Sequence, residues 1–265
     1  MDLTTLLIAG AAAGIAAGLL GIGGGVIIVP VLSLVFAAER VDPDILIKVA
    51  VGTSLATISV TAVSSLWAHH RRGAVSWDLV KVMTPGIVAG SAIGAILADV
   101  IPGYWLTVAF VIFLLAVSAQ MAWGPIASGR DLPGPWGVRF VATGVGTVSA
   151  LMGVGGGALN VPFLSWCGVP VKRAIATAAA VGFPLAVAST IGFIVTGLDE
   201  TRLPSHCLGY VNLPAFGGIV AASFLFAPLG ARIAHALPER ILKRTFAVFL
   251  SVLALRMIRD LLTGT

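Results

Sequence analysis

The sequence predicts an all-α polytopic membrane protein composed of two inverted repeats. Three observations predict it: scarce charge, apolar runs near membrane-spanning length, and a glycine cluster that occurs twice. Of 265 residues, 58% are hydrophobic and 10% charged, where soluble domains carry about a quarter. So few charges cannot cover a water-exposed surface of this size, and the mean hydropathy of +1.05 assigns the outer face to lipid. The 32 glycines suit helices that approach closely in a bilayer.

Apolar segments read in order as 3–20, 22–38, 46–68, 78–98, 104–123, 137–152, 155–167, 172–197, 208–234 and 240–262. Segments one and two, and again six and seven, meet at a glycine cluster instead of a polar loop. One unbroken helix over 3–38 would be ~54 Å long, more than a bilayer core, so the chain must reverse there. Each pair is either two tilted spans or a re-entrant hairpin of shorter helices. Met1-Asp2-Leu3 lacks the positive start of a cleaved leader, so the first segment is expected to be retained.

Either geometry returns the chain to the side it left, which allows the loops to be sorted. Arg71, Arg72, Lys81, Arg130, Arg139, Lys172, Arg173, Arg232, Arg240, Lys243 and Arg244 fall on one side. Arg40, Lys48, Arg202, Arg256 and Arg259 fall on the other, together with most of the acidic residues. Positive residues concentrate on cytoplasmic loops, so the first set is expected inside and both termini outside, in a cell inner (plasma) membrane. The same rule accounts for the net charge of +5 without nucleic acid, and no basic stretch is long enough to track a phosphate backbone.

Gly21-Ile22-Gly23-Gly24-Gly25, with Pro30 and Leu32, recurs 132 positions later as Gly153-Val154-Gly155-Gly156-Gly157, with Pro162 and Leu164. Lys48 to Ser54 resembles Lys172 to Ala178 at an offset of 124, and Pro102 and Phe110 match Pro238 and Phe246. The halves are 1–123 and 137–265, joined by a cytoplasmic linker, 124–136, rich in turn residues. One half begins outside and the other inside, so the repeats are inverted. Such repeats place a site between them near the midplane and permit alternating access.

A chain reversal at membrane depth frees backbone N–H and C=O groups, tolerated only where protein or a water-filled cavity receives them. Helices restarting after the clusters would aim N–H groups and positive dipole ends into such a cavity, which suits an anion. Gly21, Gly23, Gly24, Gly25, Gly153, Gly155, Gly156 and Gly157 are therefore candidate binding residues; close helix packing is the competing explanation. Pro30 and Pro162 are candidate helix-break residues. Asn160, with Ile28 as its repeat counterpart, is the most polar intramembrane side chain near a cluster. Thr53, Ser54 and Thr177 offer hydroxyls to a substrate, or equally to carbonyls one turn back in their own helices.

Asp and Glu are absent from mid-segment, which argues against cation transport. No nucleophile–base pair or metal-binding set lies in the apolar runs, so no enzyme activity, cofactor or metal is expected. Cys167 and Cys207 are expected as free thiols near opposite faces. Expected partners are a small anion and the lipid bilayer, and a homo-oligomer is compatible with this reading.

The paired glycine-and-proline pattern, with Ala50-Val51-Gly52-Thr53-Ser54 after the first copy, resembles the sulfite exporter TauE/SafE family of membrane permeases. The resemblance runs from about Leu6 to Leu262. It implies transport of small sulfur-containing anions or organic acids, such as sulfite or organosulfonates, with export favoured. An anion channel, or an uptake permease for another organic anion, is the alternative. The second copy departs from the pattern at Ala176-Thr177-Ala178, where one hydroxyl is missing.

Overall fold

The computed structural model describes Ala11 and residues 25–123, 131–236 and 239–263; side chains are described there except at 121–123, 224–225, 227–236, 239–246 and 263. Apart from Ala11, the segment predicted over 3–20, with Gly21, Gly23 and Gly24, and most of the linker lie outside the described residues. Helices follow in the order α1 (Gly25–Ala38), α2 (Pro43–Arg71), α3 (Trp77–Val100), α4 (Gly103–Trp123), α5 (Pro135–Leu151), α6 (Gly157–Trp166) and α7 (Val171–Thr196). A two-stranded hairpin, β1 (Cys207–Leu208) and β2 (Val211–Asn212), leads into α8 (Leu213–Ala236) and α9 (Glu239–Thr263).

Among the described residues four helices, α2, α3, α7 and the first 18 residues of α4, are long and apolar enough to cross a membrane. Two are too short. The ten residues of α6 rise ~15 Å and the fourteen of α1 ~21 Å, against a hydrocarbon core of about 30 Å. Of the two geometries open for segments six and seven, these lengths match the hairpin of shorter helices.

Local chemistry fixes the ends. Asp42 caps α2 by accepting from the Asp44 N–H at 2.9 Å, with Pro43 at the first helical position. After Arg71 and Arg72 the chain turns at Gly73, whose φ of +62° favours glycine. The apolar run predicted as one helix over 208–234 starts later, at Leu213. Gly209 takes a φ of +54° at the hairpin turn, and the Asn212 side chain accepts from the Ala215 N–H, which starts the helix there.

The most extensive packing is between α3 and α5. A Cβ on Gly86 would collide with the Arg139 carbonyl and one on Gly90 with that of Thr143; at Gly94 the Thr147 carbonyl would stand 2.6 Å away. These rungs ascend together, so the two helices run parallel with their backbones in close approach, as small residues allow in lipid. α7 packs on both α2 and α3, and α4 packs on α9, where Ser118 donates to the Ala247 carbonyl.

The charged residues separate to two ends. At one end Arg202 reaches Glu200 at 2.9 Å, Asp42 at 3.4 Å and Asp44 at 3.7 Å. Lys48, Asp99 and Tyr210 lie nearby, with the Tyr210 hydroxyl donating to Asp99 Oδ1 at 2.7 Å. At the other end the α2–α3 turn, after Arg71 and Arg72, meets the first turns of α7, which carry Lys172 and Arg173. Exposed Trp67 and Trp77 lie toward the basic end, and exposed Tyr104 and Trp105 toward the acidic end. That distribution matches the aromatic belts of a bilayer-embedded protein.

Candidate functional site

The break between α5 and α6 is built by glycine backbone geometry. Helix α5 closes with the Val154 N–H donating to the Ser149 carbonyl, and Gly153 then takes a φ of +66°. Gly156 takes a φ of +74° and caps α6 without any side-chain bond. Left-handed values at these positions cost an L-residue roughly 1–2 kcal/mol, and the space is closed as well. A Cβ on Gly156 would stand 2.9 Å from Asn160 Nδ2 and 3.0 Å from Leu185 Cδ1.

Gly25, the last residue of the other glycine cluster, lies directly against this break. A Cβ on Gly25 would stand 2.5 Å from the Gly153 carbonyl oxygen and 2.9 Å from Val154 Cα. Helix α2 runs alongside, and the buried Ser54 hydroxyl donates to the same Gly153 carbonyl at 2.9 Å. Gly155 faces α7, its carbonyl oxygen 2.6 Å from where a Cβ on Gly182 would be. Gly25, Ser54, Gly153, Gly155, Gly156, Gly157 and Asn160 are thus brought together.

Asn160 is the chemically distinctive member. It lies in the first turn of α6, is 0% exposed, and neither its Oδ1 nor its Nδ2 has a hydrogen-bond partner. A buried amide without partners costs about 1–3 kcal/mol by protein mutational measures. Its backbone N–H bonds back to the Gly156 carbonyl at 2.7 Å. The N–H groups of Gly157 and Ala158 precede the helix's own hydrogen bonds, so their donors point out of the α6 N-terminus. The Ser149 hydroxyl is also buried and unpartnered, and lies 4.0 Å from the Cβ position of Gly156. Among the described buried residues none is Asp or Glu, so the dipole end of α6 is the dominant charge at the break.

Thr53 and Thr177 are placed differently. Thr53 Oγ1 accepts from the Asn212 N–H at 2.9 Å, and Thr177 Oγ1 accepts from the Ser76 N–H at 3.1 Å. Each hydroxyl ties its helix to the start of a later or earlier one, near opposite ends of the bundle. Pro30 is buried inside α1 and Pro162 half-buried inside α6. Cys167 and Cys207 are free thiols.

Sequence reading passed over a second polar group of residues at the acidic end. Lys48 is buried; its Nζ donates to the Asp99 carbonyl at 2.5 Å and lies 5.8 Å from the centre of the Tyr210 ring. Burial, then the bond to Asp99, raises the Tyr210 phenol above its usual range. The Arg202 side chain, by hydrogen bonding, holds the Glu200 carboxyl down at about 2. Gly52 is packed against the Tyr210 carbonyl, which connects this group to Thr53 and the α2 face leading to the break. Ser149 was missed too, although its place four residues before Gly153 is a detectable signal.

Long apolar helices, aromatic residues toward both ends, and a helix break holding an unpaired buried amide define a polytopic, all-helical membrane protein. The profile of the family described as sulfite exporter TauE/SafE matches residues 6–257, and the chain belongs to that family. It is 35% identical to a probable membrane transporter protein of Haemophilus influenzae, over 95% of this chain and 96% of the relative. A probable membrane transporter protein of Methanocaldococcus jannaschii is 30% identical over 97% and 95% of the two chains. In Bacillus subtilis the probable membrane transporter protein YunE is 28% identical over 84% and 88%. No solved structure matches the chain. The protein is a membrane transporter.

Proposed function

We propose that the protein is a secondary transporter that exports a small anion, sulfite or an organosulfonate, across the inner membrane. The anion sits at the paired helix breaks, held by backbone N–H groups at the α6 N-terminus and by the Asn160 amide. The observation that carries this reading is the unpartnered, fully buried Asn160 side chain in the first turn of a short helix, beside N–H groups that have no intrahelical partner. A carboxylate-free helix break with a positive dipole end favours an oxyanion over a cation.

Alternating access between inverted repeats 1–123 and 137–265 is supported by a reciprocal pair of hydrogen bonds. Thr53 in the first half accepts from Asn212 in the second, and Thr177 in the second accepts from Ser76 in the first. Thr53 and Thr177 are 124 positions apart, while Ser76 and Asn212 share the 136-residue offset of Pro102 and Pro238. A pseudo-two-fold axis that exchanges the halves produces this exchange of partners. The contact of Gly25 with Gly153 and the packing of α4 on α9 fit the same axis. With the basic end in the cytoplasm, as positive-inside sorting dictates, the membrane potential itself drives anions outward.

Reconstituted protein tests the proposal. Saturable sulfite efflux with counterflow is the carrier result, and ohmic unitary currents would replace the carrier by a channel. Gly156→Leu should abolish flux while the protein still inserts; retained flux would reject this site.

A further inference from the structure

We propose that Ile58 is the wedge that sets how large an anion the site accepts, which makes the substrate a single oxyanion head with a short apolar tail. The inference rests on the anion-site reading above. Ile58 lies one turn beyond Ser54 on α2, on the face that lines the α5–α6 break. Its Cδ1 is 2.8 Å from where a Cβ on Gly25 would stand, and its Cγ2 is 2.9 Å from the Cβ position of Gly155. The side chain is 1% exposed. Its two branches therefore rest on Gly25 and Gly155 at once, against backbone with no Cβ to hold them off.

An anion held at the α5–α6 break beside Gly25 competes for the space these methyl groups fill. A β-branched side chain in a helix has essentially one χ1 rotamer, so Cγ2 stays in place and only Cδ1 can turn aside; the volume Cγ2 denies is well defined. Opposite it, at the 124-residue repeat offset, stands Gly182, packed on the Gly155 carbonyl with no side chain to add. The wedge is one-sided. Beyond Ile58 the wall continues with Ala62, Ala186 and Phe183, all apolar. The polar head is thereby directed to Asn160 and the α6 N-terminus, and any tail to the Ile58 side.

The test is competition in proteoliposomes containing the full chain, with labelled sulfite counterflow against unlabelled sulfite, methanesulfonate, ethanesulfonate and propanesulfonate. In the parent protein competition should fall as the tail lengthens. Ile58→Ala should raise the potency of propanesulfonate relative to sulfite by about tenfold or more, the discrimination expected for a few methylenes in an apolar pocket. Ile58→Val, which removes a single methylene, should shift the ratio in the same direction by less, and decides the matter if the alanine variant fails to insert. Unchanged ratios in an inserted, active variant would overturn the wedge. Asn160→Leu is the separate arm: if it still binds sulfite as the parent does, the underlying anion site is wrong, whereas loss of binding there with unchanged Ile58 ratios rejects Ile58 alone.

Discussion

Replacing Asn160 with leucine should make the empty protein more stable and the transporter inert. The two side chains have similar volume, so no cavity opens, and two unpartnered polar atoms leave the interior. Relieving an unpaired buried amide is worth about 1–3 kcal/mol. For a chain of this size, each kcal/mol corresponds to roughly 2–4 °C in Tm. The parent protein, at a sulfite concentration one hundred times its Kd, should gain about 2.7 kcal/mol by mass action; Asn160→Leu should gain nothing. Thermal unfolding of purified protein in detergent, with and without sulfite, reads both effects. A variant that melts lower than the parent and keeps the full ligand shift would refute the assignment of Asn160 as a ligand group held in strain.

Three further outcomes follow from the geometry. Ser54→Ala leaves the buried Gly153 carbonyl without its 2.9 Å donor and should cost about 1–3 kcal/mol, measurable as a lowered Tm. The Glu200 carboxyl is held at about 2, below its ordinary 4.5, by Arg202; its contribution is complete above the ordinary value and is lost as pH falls through about 2, so Glu200→Gln should flatten the acid limb of a stability–pH profile. In a background lacking Cys167 and Cys207, a cysteine at position 71 should react with an impermeant maleimide only from the cytoplasm and one at 200 only from outside; the reverse pattern would invert the proposed orientation.

Much of the architecture was legible because lipid imposes a length on apolar runs. The bounds of α2, α3, α4 and α7 follow the hydrophobic segments within a few residues. The second glycine cluster marked the break between α5 and α6. What composition could not show was direction. Helices in lipid are apolar on nearly every face, so periodicity does not tell which residue looks at which neighbour. Asn160 stood out because it is polar among apolar residues, whereas Ile58 is one isoleucine among many until Gly25 and Gly155 are seen against it. The hydroxyls of Thr53 and Thr177 read as candidate ligands, and only the fold reveals the N–H groups of Asn212 and Ser76 that occupy them. The start of α8 was misread by five residues because Gly209 and Asn212 are short-range signals inside an otherwise apolar run.

The most direct measurement is an electron cryo-microscopy structure of the protein with sulfite or methanesulfonate bound. The account predicts density at the α6 N-terminus, within hydrogen-bonding distance of Asn160 Nδ2 and the Gly157 and Ala158 N–H groups, with the Ile58 Cδ1 methyl turned aside. Density at another place, with Asn160 still sealed in dry packing between the two breaks, would contradict it.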